Sequence, residues 1–211
     1  METIENVEIF KYLGDQIKYD EASTGEAEIN LRISLSEAKF YQLAKKLTNQ
    51  HILLRTRTHI LNSLIRSRLT YSCQTWNVNE KELEKLNGIY VGMLRKMIRG
   101  GYRKTENHHY FYTNKDVLTI CGTDDIQTYV SRQQTSYLSH LVRQSNSTLT
   151  KRLTFNNDRV TKRGRPTETL EDKVLKVNMM TADQFYRSAL KREIRYGRSD
   201  DGLDRLKSLK R

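Results

Sequence analysis

The stretch "NEKELEKLNGIYVGMLRKMIRGG", residues 79–101, carries the strongest periodicity in the chain. Leu83, Leu86, Ile89, Tyr90, Met93, Leu94, Met97 and Ile98 recur every three or four residues, which puts them on one stripe of an α-helix. Asn79 and Glu82 match a capping box, in which each side chain accepts a backbone N–H from the other residue. Gly100 and Gly101 supply the stop. Most of the stability of such a helix comes from burying its stripe against partners, and the flanking sequence supplies them.

Two more stripes precede it. Ile29, Ile33, Phe40, Leu43 and Leu47 mark a helix over about 26–47, with Lys39, Lys45 and Lys46 off the stripe. "TNQH" (48–51) breaks the pattern. Ile60, Leu61, Leu64, Ile65 and Leu69 mark a second helix over about 53–70, and its other face carries Arg55, Arg57, Arg66 and Arg68. The aromatic stretch "YSCQTW" (71–76) follows. Three amphipathic helices with short connections can enclose one core, so residues 26–100 read as a small bundle. Ahead of it, "IFKYLGDQIKYD" (9–20) reads as a β-hairpin. Ile9, Tyr12 and Leu13 are apolar, Gly14 and Asp15 form the turn, and Ile17 and Tyr19 alternate with charges. An isolated hairpin is marginal in water, so this one needs a surface to complete it.

Past residue 101 the signal weakens. "GYRKTENHHYFYT" (101–113) is polar, aromatic and irregular, and "NKDVLTICG" (114–122) reads as a short helix ending at Gly122. Residues 124–143 form another helix, with Ile126, Tyr129, Val130, Tyr137, Leu138, Leu141 and Val142 inward. The span 144–169 is rich in Ser, Thr and Asn, then basic, and holds the only proline, Pro166. Two short helices are expected at about 169–178 and 182–195, the second opened by Thr181 and Gln184 as a capping box. The end, "RYGRSDDGLDRLKSLKR" (195–211), reads as a loose charged tail. The expected fold is therefore mainly α. A β-hairpin segment (1–22) precedes a three-helix bundle (23–101), a helical extension (102–143) and a basic, partly disordered C-terminal region (144–211).

Composition narrows the function. Hydrophobic residues make up 36% of the chain and charged residues 29%, enough for a modest core but not one running the whole length. No window approaches the roughly 18 apolar residues of a membrane span. The acidic start, with Glu2, Glu5 and Glu8, resembles neither a secretory signal nor a transit peptide. Cys73 and Cys121 lie far apart without a CxxC partner, which argues against a disulfide framework or zinc site and suits an intracellular compartment, nuclear or cytoplasmic. Both read as small buried hydrophobes. The net charge is +12; residues 1–29 hold eight acidic and two basic side chains, so the remainder carries +18. Such a body attracts polyanions.

Catalytic motifs are not found. Two-metal polymerisation needs carboxylates from separate strands around cations about 4 Å apart. The adjacent pairs here are Asp124–Asp125, where Thr123 or Asp124 would cap a helix, and Asp200–Asp201 in a polar tail. His108–His109 has no Cys or acid at ligand spacing. Dinucleotide, Walker and nucleophile-elbow motifs are missing. In "RGGYRK" (99–104) a helix stop accounts for both glycines. No enzyme activity, metal, cofactor or small-molecule substrate is expected.

Three stretches, in order, resemble one family. They are "FKYLG" (10–14) followed by "EINLRISLSEAKFYQL" (28–43); "RTRTHILNSLIRSRLTYSCQTW" (55–76) running into "LEKLNGIYVGMLRKMIRG" (83–100); and "YLSHLVR" (137–143) followed by "RGRP" (163–166). Together they resemble the C-terminal part of the reverse transcriptase of non-LTR, LINE-type retrotransposons. The resemblance covers about residues 9–170 and rests on order and spacing, since each piece alone is short. It implies that Tyr12, Leu13 and Gly14 belong to a palm-type hairpin and that the bundle is thumb-like. It also implies that Trp76 anchors the bundle and that the catalytic aspartates lie upstream of this sequence. His140 stands where the family has a tryptophan-leucine-glycine-histidine element, but Tyr137 and Ser139 replace its tryptophan and glycine, which puts that element's role in doubt.

A thumb holds its duplex mainly by phosphate contacts, which carry little sequence information. The expected nucleic-acid contacts are Arg55, Arg57, Arg66 and Arg68 on the second helix and Arg95, Lys96 and Arg99 on the third. Lys162, Arg163 and Arg165 around Gly164 and Pro166 add a basic segment able to follow a phosphate backbone. The expected function is that of a non-catalytic reverse-transcriptase fragment binding RNA, DNA or their hybrid, with the missing palm of a longer polyprotein as a further partner. The alternatives are a helical protein-interaction module and the non-functional product of a degraded element.

Overall fold

The structure, a computed structural model, describes residues 9–12, 14–18, 24–98, 102–104, 109–155 and 168–191. Expectations for Leu13, Arg99, His108, Lys162, Arg163, Arg165, Asp200 and Asp201 fall outside these residues. The described chain is mainly helical and divides into two compact units, Met1–Tyr129 and Val130–Arg211.

In the first unit, strands β1 (Ile9–Tyr12) and β2 (Asp15–Lys18) pair antiparallel with Tyr12 opposite Asp15. Gly14 turns between them at φ +93°, a conformation that costs glycine little. Its carbonyl accepts from Arg32 Nη2 at 2.8 Å, and the Arg32 guanidinium stacks 4.4 Å from the Tyr71 ring centroid. Arg32 is itself buried and paired with Glu28 one turn earlier on helix α1 (Thr24–Leu47). The turn is thus tied to the helices by a main-chain contact to a buried cation.

Helix α2 (Leu54–Leu61) continues through a π-turn (Asn62–Arg66) into the short α3 (Ser67–Leu69). The wider turn matters for the core. Leu61, Ile65 and Leu69, four residues apart, are fully buried, whereas Leu64, expected inward, is 43% exposed. A 3.6-residue stripe would bury positions three and four residues along; the i→i+5 turn keeps only the fourth in line. A 3-10 turn (Cys73–Thr75) leads to Trp76, which is buried. Helix α4 (Glu80–Ile98) opens with Asn79 N–H donating to Glu82 Oε2 at 2.7 Å and Glu82 N–H to Asn79 Oδ1 at 3.0 Å. Its Leu86, Tyr90, Leu94 and Met97 are fully buried with Ile29, Phe40 and Leu47 of α1.

The stretch read as irregular contains a second antiparallel pair, β3 (Tyr102–Lys104) with β4 (His109–Phe111). Helix α5 (Asn114–Cys121) is boxed by Thr113 and Asp116 and closed by Gly122 at φ +62°. Helix α6 (Ile126–Arg143) is capped by Asp125, whose Oδ1 accepts the Thr128 N–H at 2.6 Å. The cap falls one residue beyond Asp124, and the Thr123 hydroxyl, the other expected cap, is engaged with Asn62 and Tyr90.

The second unit is built from α6 beyond Tyr129 with α7 (Leu149–Thr154), α8 (Leu170–Asn178) and α9 (Ala182–Leu190). Leu138, Val142, Val174, Phe185 and Ala189 form its core, so the two short helices expected after residue 168 share a packed interior with α6. Each of its short helices presents only one or two apolar turns, too few to stand out as a stripe. Thr169 with Asp172, and Thr181 with Gln184, make full capping boxes.

Candidate nucleic-acid interface

The cations expected to form one face separate into two groups. Arg57 is 4% exposed. Its Nη1 donates to the carbonyls of Met97 at 2.6 Å and Leu47 at 3.2 Å, and its Nε to Ile52 at 2.9 Å. It joins the C-terminal ends of α1 and α4 to the start of α2, and has no surface to offer a phosphate. The expectation for Arg57 is corrected on that ground: the planar fork of donors was matched to orphan helix carbonyls.

Arg66 is half-buried, stacked 4.3 Å over the Tyr129 ring and donating to Thr123 Oγ1 at 3.3 Å. Arg95 donates from Nη2 to Tyr112 O at 2.9 Å and Asn114 Oδ1 at 2.8 Å, holding the approach to α5. Both act within the fold. Arg55, Arg68 and Lys96 are exposed. Lys96 Nζ donates to Tyr41 OH at 3.1 Å and sits 5.1 Å from that ring's centroid. Among the described residues, Arg55 and Arg68 have no acidic partner.

Sequence reasoning missed a polar cluster beside Arg66. Tyr90 OH donates to Asn62 Oδ1 at 2.6 Å and lies 2.9 Å from Thr123 Oγ1, which also accepts from Asn62 Nδ2 at 3.1 Å. Burial first of all raises the Tyr90 phenol above its usual range, so it stays a neutral donor. Tyr90 lies on an apolar stripe, and nothing in that pattern signals its partners. Asn62 reaches them from the π-turn, a feature often found at functional sites. His140 shares a hydrogen bond with Gln144 one turn on, at 3.0 Å. Burial pushes the Cys73 thiol up to about 12 and also raises that of Cys121, so neither is a ready nucleophile. Among the described residues no three His, Cys, Asp or Glu side chains gather as a metal site would require. No helix there is long and apolar enough to cross a membrane.

One pattern recurs among the cations committed to the fold, Arg66 with its hydroxyl and aromatic partners excepted. Arg57 binds three main-chain carbonyls, Arg32 one and Arg95 one, while in the second unit Lys151 binds two and Arg143 one. A carbonyl accepts the hydrogen bond but leaves the formal charge in place. These contacts stabilise the helices without reducing the +12.

Comparison with family models, curated proteins and solved structures returns no match. Function must therefore be read from this chain's own residues.

Proposed function

We propose that this chain holds nucleic acid by its phosphates, without sequence preference and without catalysis, in the manner of a reverse-transcriptase thumb whose palm is not part of this sequence. The hairpin would then be the palm-type end of that unit and the bundle the thumb. The observation that carries the reading is a net charge of +18 outside the first 29 residues, together with exposed Arg55 and Arg68 on one helical segment without acidic partners among the described residues. The set of available cations is narrower than the sequence alone suggested: Arg57, Arg66 and Arg95 act inside the fold, leaving Arg55, Arg68 and Lys96 outward. The resemblance in order and spacing over residues 9–170 supports the same reading.

A salt titration of duplex binding tests it. Affinity should fall steeply with salt. Reversing Arg55 and Arg68 together should flatten the slope of log K on log salt by about 1.8, or roughly 0.9 for each phosphate that is no longer neutralised. A flat salt dependence, or no binding at low salt, overturns the proposal.

A protein-interaction module is the second reading. One observation favours it: Gly88 and Gly92 have no neighbour where a Cβ would stand, and they border a shallow groove with Phe40, Tyr41 and Lys96. Nucleic-acid binding left untouched by the double reversal would favour this alternative.

A further inference from the structure

We propose that the start of α2 is a built phosphate seat, a cleft of about 480 Å³ lined by Arg55, Thr56, Thr58, His59, Asn62, Cys121 and Gly122. The inference rests on the nucleic-acid reading only for the source of the phosphate.

Four observations converge on this cleft. First, α2 begins without a cap: Leu53 occupies the cap position, makes no side-chain bond to the helix, and no acid lies in the first turn. The free N–H groups and the positive end of the helix dipole are left for another acceptor. Second, Arg55 is exposed in that same first turn and lines the cleft, so a fixed charge stands beside those donors. Third, Thr58 lines the cleft although only 4% exposed, and its enclosed hydroxyl has no hydrogen-bond partner of good geometry. It lies against the Cys121 thiol, which is a weak partner. A buried hydroxyl matched only by a thiol is held at a cost, which a ligand oxygen would recover by displacing the Cys121 contact. Fourth, the lining contains no carboxylate. Burial keeps Cys121 protonated, so it adds no negative charge, and Asn62 and His59 offer further polar groups. The far wall, the C-terminal end of α5, is closed internally: the Gly122 N–H bonds Thr119 O and the Thr123 N–H bonds Leu118 O.

A tetrahedral dianion or a backbone phosphodiester matches a cluster of N–H, O–H and guanidinium donors of this kind. The volume exceeds one phosphate, leaving room for an attached sugar. The neighbouring polar cluster of Asn62, Tyr90 and Thr123 fixes one wall, because Asn62 is held from both ends of its amide.

The test uses the full chain with two probes, inorganic phosphate and a short thymidine oligonucleotide. Amide NMR signals of Arg55, Thr56 and Thr58 should shift with both. Arg55→Ala should weaken oligonucleotide binding about tenfold, and Arg68→Ala, equally outward but outside the cleft, about twofold. Thr58→Val should weaken binding without lowering thermal stability, since the hydroxyl it removes has no strong partner. Equal losses for Arg55→Ala and Arg68→Ala, with Thr58→Val unchanged, would overturn the seat while leaving diffuse nucleic-acid binding intact. Shifts with phosphate but no oligonucleotide binding would uphold the seat and refute its polynucleotide source. Silence of these amides with both probes overturns it.

Discussion

Arg57 in the first unit and Lys151 in the second perform one task at two depths. Each takes a positive charge to the carbonyls at the end of a helix: Arg57 to Leu47 and Met97, at the ends of α1 and α4, and to Ile52; Lys151 to Val142 at 2.8 Å and Gln144 at 2.9 Å, at the end of α6. Arg57 is buried and joins segments up to 40 residues apart. Lys151 is half-buried and reaches back no further than nine residues. The difference shows what depth does to one and the same interaction. Near the surface, water can replace the ammonium at little cost; in the interior nothing replaces the guanidinium, and its loss would leave three carbonyls without a donor.

The comparison can be broken at its strongest point first. Arg57→Ala should destabilise the protein by about 3–5 kcal/mol, because buried acceptors lose a charged donor. Arg57→Lys should recover only a minor part, since one ammonium cannot reproduce the fork. Chemical denaturation followed by helical circular dichroism reads both variants, and a small loss for Arg57→Ala would refute the clamp. The neighbouring polar cluster sharpens the same contrast. Tyr90→Phe, which keeps the ring and deletes the hydroxyl, should cost about 1–3 kcal/mol by leaving Asn62 and Thr123 short of a partner. If it costs nothing, that cluster is not holding α4 against the π-turn. At the shallow end, Lys151→Ala should cost about 1 kcal/mol, as expected for a partly solvated cation at a helix C-terminus. A loss as large as that of Arg57→Ala would show that depth is not what separates the two sites.

The functional face follows from the same contrast. Arg55, Arg57, Arg66 and Arg68 look alike in sequence, and their spacing on one helix invites a single cationic stripe. Two of them turn out to be consumed by helix carbonyls and by an aromatic ring, and two remain in water. The sequence contained a sign of Arg55's setting: Leu53, a residue that cannot cap, precedes the helix. It contained no sign of Thr58's poorly matched hydroxyl or of Cys121 and Gly122 opposite, since those lie about 60 positions along the chain.

The sequence by itself determined most of the helices, though not α7. Their stripes, the Asn79–Glu82 and Thr181–Gln184 boxes, and the stop at Gly122 all rest on interactions within a few residues, and short-range rules can read them. It also determined the excess positive charge, which is a matter of counting. Tertiary structure alone decided which cations face water, where the π-turn rotates Leu64 outward, and that short apolar runs on α6, α8 and α9 share one core. Those outcomes depend on which groups from distant parts of the chain meet in a low-dielectric interior. There an arginine finds its partners among backbone carbonyls, and every residue in the sequence carries one.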